Sequence, residues 1–271
     1  MIMSNFLRNR KSVREFKNRI VEPRILEDVQ ESIRALKDEY SLDNMDFRLY
    51  ENGKNLYSSL EGKGGYAGVM IESPHYIIME LADKKEDTIL YGAYYMEKLI
   101  TKLNDMGLST CWVSVSNIDE NLKKEVFGEH IVHVDYVLAF GYEKLRNPFT
   151  TETFSERIGV KDMVFDGEIG RVSNLDDLDN KGLLDIFHYV RFAPSTKNLQ
   201  PWRFLIKDNK IQLLLSYKEW NEGLLTDAGI IMYYFEELAK YQGIKSQWRI
   251  VDIVECKTED NCYRYVAEYE L

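Results

Sequence analysis

Residues Ala193 to Phe204 read APSTKNLQPWRF. Ser195, Thr196, Asn198 and Gln200 put small donors and acceptors of mixed polarity between two prolines, ahead of an aromatic strand start. Such a set can meet the edge of a heteroaromatic ring, where carbonyl and N–H groups alternate. Pro, Ser and Asn are equally the ordinary vocabulary of a turn followed by a cap. From these residues alone both readings stand.

The surroundings fix its context. A helix is expected just before it, Leu183 to Arg191, and strands WRFLI and IQLLL follow. Loops between a helix and a strand commonly carry ligands. Beyond them come a helix from about Thr226 to Tyr241 and strands in WRIVDIVEC and CYRYVAEYE. The first half of the chain has the same texture. A helix is predicted from Pro23 to Leu36, with Pro at its first turn and Ile25, Leu26, Val29 and Ile33 at helical spacing. DFRLY and PHYIIMEL read as strands separated by a glycine-rich stretch. A helix from about Thr88 to Met106 ends at Gly107 in the C′ position, then come CWVSVS, a helix from Glu120 to Phe127 and the strand IVHVDYVLAFGY. The polar stretch from Glu143 to Lys181 is expected to be an extended connection. The resulting division is 1–150, a connection at 151–182, and 183–271.

The two halves look like copies. LYGAYYMEKLITKLNDMGLSTCWV starts at Leu90, and LTDAGIIMYYFEELAKYQGIKSQWRI starts at Leu225. Aligning Gly107 with Gly243 also aligns Trp112 with Trp248. A duplicated chain of this kind would be a pseudo-dimer, its halves related as two protomers are. The offset at DFRLY and WRFLI is larger, so the first half carries extra residues, placed at about Gly62 to Leu81.

Composition narrows the function classes. Hydrophobic residues make up 45% and charged residues 30% of 271, the balance of a globular protein. No apolar run approaches the ~18 residues of a membrane span, and the basic start does not resemble a signal peptide, so a cytoplasmic protein is expected. Cys111, Cys256 and Cys262 form no CxxC pair, and His75, His130, His133 and His188 lack partners at ligand spacing. No metal site is therefore expected. The net charge of −10 argues against nucleic acid or an anionic membrane as partner. Yet residues 1–24 hold seven cationic residues against two carboxylates, a local +5 in an otherwise acidic chain.

That island contains RKSVREF, Arg10 to Phe16. In an extended strand Arg10, Ser12 and Arg14 share one face while Val13 turns inward. Two guanidiniums and a hydroxyl suit a phosphate, and a solvated basic edge is the alternative.

RKSVREF resembles the R-x-S-x-R-x-F motif of the nitroreductase superfamily. APSTKNLQPWRF resembles that superfamily's A-P-S-x-x-N-x-Q-P-W-x-F loop, and GLSTCWV its G-L-G-x-x-W segment. Together they span most of residues 8–250, and the chain is most similar to members that carry two half-units in one chain.

The resemblance implies an α+β nitroreductase-like fold, FMN as cofactor and NAD(P)H as electron donor. It implies a small electron-poor acceptor such as a nitroaromatic or quinone. Family flavin sites combine the basic motif of one protomer with the loop of the other. Here the first half has the motif but reads KDEYSLDNMDFRLY where the loop belongs, and the second half has the loop without the motif. One complete flavin site is therefore expected at the interface of the halves, and a monomer suffices to supply it. By resemblance Arg10, Ser12 and Arg14 hold the phosphate with Lys11 nearby, joined by Lys144 and Arg146 from a late K-x-R. Pro194, Ser195, Thr196 and Asn198 line the ring and ribityl chain, and Val113 and Ser114 match the segment whose amide faces flavin N5. No side chain is expected to act as an acid or base, since the flavin carries the chemistry. The rival reading is an FMN store or sensor without efficient turnover.

Overall fold

Pro23 needs no hydrogen-bond acceptor for its nitrogen, so it opens helix α1 (Pro23–Tyr40), which buries Leu26, Val29, Ile33 and Leu36 along one face. This is seen in a computed structural model that describes residues 10–40, 42–128, 133–144, 155–251, 254–258 and 261–271. The chain forms two compact units. The N-terminal one contains Asn5–Thr88 and Tyr95–Thr151, and the C-terminal one contains Ile89–Tyr94 and Glu152–Leu271.

In the N-terminal unit α1 is followed by β1 (Met45–Tyr50), α2 (Gly53–Leu60), β2 (His75–Leu81), α3 (Glu86–Asp105, whose Ile89–Tyr94 turns count with the C-terminal unit), β3 (Ser109–Ser114), α4 (Glu120–Phe127) and β4 (Tyr136–Gly141). The strands form an antiparallel sheet in the order β1-β2-β4-β3. Leu56, Leu60, Ile78, Cys111, Val113, Val137 and Ala139 pack on one of its faces. His75 is a satisfied core residue: Nε2 accepts from the Val21 amide at 3.0 Å, Nδ1 meets Glu51 O at 2.8 Å, and burial lowers its pKa.

The C-terminal unit runs α5 (Val160–Met163), β5 (Val164–Asp166), α6 (Leu175–Asn180), α7 (Leu184–Val190), a single 3₁₀ turn (Thr196–Asn198), β6 (Trp202–Lys207), β7 (Lys210–Tyr217), α8 (Gly223–Tyr241), β8 (Arg249–Ile250), β9 (Glu255–Lys257) and β10 (Cys262–Glu270). Its sheet has the order β5-β6-β7-β10-β8, with β9 also on β10. Phe187, Phe204, Phe235, Trp248 and Tyr269 stack and tilt against one another with centroids 5.2–5.9 Å apart, filling the space between α7, α8 and the sheet.

The two sheets share a plan. The antiparallel path β1-β2-β4-β3 has the same connectivity as β6-β7-β10-β8, and α3 and α8 occupy the same place in each. The helix ends match atom for atom. Leu108 N donates to Leu103 O at 2.9 Å and Ile244 N to Ala239 O at 3.0 Å, around Gly107 (φ +78°) and Gly243 (φ +83°).

Two expectations need correction. The stretch after Glu143 contains, in its described part, α5, α6 and β5, and β5 pairs in parallel with β6. A three-residue strand carries no periodicity, and a parallel partner forty residues away leaves no local trace. The extra residues of the first half lie at 51–74, and 75–81 is β2 itself. Where β6 and β7 turn through Asp208 and Asn209, both at positive φ, the first sheet inserts α2 and a glycine-rich loop. Among the described residues no helix is long and apolar enough to cross a membrane.

Candidate functional site

The basic stretch is extended, as its alternation requires. Val13 N donates to Thr110 O at 2.9 Å beside a parallel bridge from Ser12 to Thr110. Phe16 then bridges Glu143, Lys17 N donates to Tyr142 O at 2.8 Å, and Lys144 N donates to Glu15 O at 3.0 Å. Val13 is 1% exposed and turned inward, as the pattern predicts. The residues of the opposite face separate into two environments. The Arg10 side chain is buried and forks onto Glu97, Nε to Oε2 at 3.1 Å and Nη2 to Oε1 at 3.0 Å. Arg14 is exposed and makes no ion pair among the described residues. Lys11 pairs with Glu143 at 2.6 Å. Lys144 is exposed and held beside Glu15 by its own backbone, while Arg146 lies outside the described residues. Arg14 and Lys144 are thus exposed and Ser12 half-buried, whereas Arg10 spends two N–H groups inside the protein.

β3 decides between Val113 and Ser114. Val115 N donates to Asp135 O at 2.8 Å, so in this antiparallel register the odd-numbered residues of β3 bond to β4. The amide of Val113 is therefore spent on the sheet and its side chain is core. The even-numbered residues face the other edge. There Thr110 O takes Val13 N, and Ser114 O takes the amide of Gly65 at 2.8 Å. Ser114 N–H points to this edge, next to the glycine-rich loop. Gly65 has φ +80°, and a Cβ there would sit 2.0 Å from Val69 O, so the loop's close return demands glycine. The Thr110 hydroxyl is buried with no hydrogen-bond partner among the described residues. Burial raises the Cys111 thiol pKa, against an opposing pull from Arg14 and Arg10, which keeps this cysteine a packing residue.

In the C-terminal unit the loop is built as a braced turn. Lys197, Asn198 and Gln200 all have positive φ (49–58°), a conformation that must be held by its surroundings. Ser195 Oγ accepts from Gln200 N at 3.0 Å. Thr196 gives its amide and hydroxyl to Asp227 Oδ1 at 2.9 and 3.2 Å. Asn198 Oδ1 accepts from Arg157 at 3.1 Å, and its Nδ2 donates to Glu156 O at 2.9 Å. Gln200 Oε1 accepts from the Ile158 amide at 2.9 Å. The polar atoms of Ser195, Thr196 and Asn198 therefore shape the loop first. Beyond these bonds the loop offers, among the described residues, the Ser195 O–H, its backbone and the partly exposed Pro194.

Three residues that sequence reasoning missed organise these pieces. Glu97 holds Arg10 and also takes the Trp112 indole N–H at 2.7 Å. Arg157 ties the loop to the preceding segment, donating to Ala193 O and Asn198, and burial lowers its pKa. Asp227 is 1% exposed, and burial raises its pKa to about 7 against the pull of Thr196. A signal existed for two of them. Glu97 and Asp227 are lone carboxylates inside apolar helical runs, YYMEKLI and LLTDAGIIMYYF, and a buried acid needs a partner.

The family model described as "Putative TM nitroreductase" matches residues 3–239. Among solved structures the chain is similar to a putative nitroreductase from Thermotoga maritima. Identity is 19% and the TM-score 0.57, with 96% of this chain and 91% of that one covered. That likeness shows a shared α+β fold over nearly the whole chain. An FMN-dependent nitroreductase from Clostridium difficile is also similar (19% identity, TM-score 0.43, covering 65% of this chain and 94% of that one). So is a nitroreductase with bound FMN from Bacteroides fragilis (16%, 0.44, 58% and 100%). No curated protein sequence matches the chain.

Proposed function

Because the chain belongs to the nitroreductase family, matched over residues 3–239, we propose that it is an FMN-dependent oxidoreductase. It takes electrons from NAD(P)H and passes them to a small electron-poor acceptor such as a nitroaromatic or quinone. The observation that carries this reading is the pairing, within one unit, of an anion-facing strand with the open edge of β3. Ser12, Arg14 and Lys144 offer a hydroxyl and two cations, the donor set a phosphate dianion requires. Along the same edge the Ser114 amide points away from its own sheet, as a donor to a ring nitrogen must.

When bound, FMN supplies the hydride chemistry. The chain's own residues bind, orient and shield. Arg14 and Lys144 would hold its phosphate, and the Ser114 amide would offer a hydrogen-bond donor to its ring. The Gly65 turn keeps side chains out of that edge. The motif and the loop each occur once in the sequence, in different halves, which supports one flavin served by both.

The test is the visible spectrum of the purified protein, followed by NADH and NADPH oxidation with nitroaromatic and quinone acceptors. Flavin absorbance with acceptor-dependent oxidation is the expected outcome. Bound flavin without such oxidation would favour a store or sensor. A colourless protein that takes up no FMN would overturn the proposal. Arg14→Ala should lower FMN affinity by roughly tenfold or more, the effect of removing one charged hydrogen bond of ~1.5–3 kcal/mol. Equilibrium dialysis measures it.

A further inference from the structure

Glu97 has no part in the binding just described, yet both of its carboxylate oxygens are engaged inside the protein. Its side chain is 1% exposed, and that of Arg10 is 5% exposed. Oε1 takes both Arg10 Nη2 at 3.0 Å and the Trp112 indole N–H at 2.7 Å, while Oε2 takes Arg10 Nε at 3.1 Å. These donors come from two different strands. Arg10 begins the stretch that carries Ser12 and Arg14. Trp112 lies in β3 between Thr110, where that stretch is bridged, and Ser114, whose amide faces the open edge. One carboxylate on α3 therefore ties the anion-facing strand and the β3 edge to the same point.

We propose that Glu97 is a positioning residue of the flavin site, acting through Arg10 on the phosphate end. The inference rests on the flavin reading above. Two of the N–H groups of Arg10 are then fixed on Glu97, and the stretch it begins brings Ser12 and Arg14 to the phosphate beside Lys144. The fork is what matters: a lysine keeps the charge at position 10 but cannot make the two parallel bonds. Removing one partner strands the other as a buried, uncompensated charge. The strand that presents Ser12 and Arg14 then loses its fixed register against β3.

The experiment compares FMN with riboflavin, which lacks the phosphate, by flavin fluorescence on the full chain and on Glu97→Gln, Arg10→Lys and the double variant. The expected result is that each single variant loosens FMN roughly tenfold or more, with riboflavin changed less than about threefold. The double variant should be no worse than either single one, because both break the same fork. Equal loosening of FMN and riboflavin would make Glu97 a packing residue only and overturn the inference. So would an unchanged FMN preference in Arg10→Lys, the variant that decides the matter if Glu97→Gln does not fold. If the unaltered chain takes up neither flavin, the flavin reading itself fails. If it binds FMN and the variants keep its preference, only the role of Glu97 falls.

Discussion

Asp227 shows what a single buried acid costs and what it holds. Its Oδ1 fixes the start of the loop through Thr196, and its Oδ2 is buried without a partner among the described residues. Burial lifts its pKa from 3.8 to about 7, so the folded chain keeps this proton where the unfolded chain has released it. The stabilising contribution is thus complete below about pH 4 and declines as pH rises towards 7, by at most about 1.4 kcal/mol per pH unit. Asn at this position keeps an oxygen for Thr196 and does not titrate. Asp227→Asn should therefore gain stability relative to the native chain between pH 4.5 and 7.5, read as a widening difference in Tm. A constant difference would mean that Asp227 does not titrate in this range. The same scale explains what could be read in advance. The inward turn of Val13 and the exposure of Arg14 follow from strand alternation, which sequence displays. The capture of Arg10 by Glu97 does not, because it depends on which helix packs over which strand. Likewise Ser195, Thr196 and Asn198 were legible as a polar loop. That their side chains brace it was not, since Asp227 and Arg157 reach them from 31 and 41 positions away.

At the scale of elements, periodic stretches declared themselves and short ones did not. α4 and β10 fall where their apolar spacing puts them. α2 was hidden because it opens on Gly53 inside a glycine-rich region, its start marked only by Asn52, whose side chain accepts from Asn55 N. The matched ends of α3 and α8 allow a quantitative comparison. At both Gly107 and Gly243 a Cβ would meet nothing within 4 Å, so alanine there carries only the strain of positive φ. Gly107→Ala and Gly243→Ala should each cost about 1 kcal/mol, nearly equally, by urea denaturation. Gly229 is the contrast. A Cβ there would lie 2.1 Å from Leu90 O and 2.9 Å from the Ala93 Cβ, so the backbones must separate. Gly229→Ala should cost at least twice as much as either cap substitution, in the range of overpacked cores, ~1–3 kcal/mol or more. Comparable losses at all three positions would show that the close approach at Gly229 relaxes freely.

At the scale of the molecule, two sheets share one strand order and two helices share one cap, while the two sequence motifs each occur once. The second sheet's hairpin turns in two residues where the first inserts 51–74, and nothing in the second half corresponds to Arg10–Arg14. Topology survives divergence because a core tolerates apolar exchange, whereas a binding motif is lost once a few donors change. The shared plan could be anticipated from the Gly107 and Gly243 alignment. That each half lacks one of the two motifs is read from the sequence alone. One flavin per chain follows from the proposed reading, and Arg14→Ala tests it without any knowledge of geometry. If the motif serves the sole site, the substitution should lower occupancy of the whole population in proportion to the weakened affinity. At an FMN concentration between the native and variant Kd, released flavin should fall from about one per chain towards zero. If each half held its own flavin, the native ratio would approach two, and the same substitution would leave a plateau at half. Flavin absorbance against protein concentration, followed across an FMN titration, separates the two outcomes, and a half-height plateau would sink the single-site reading.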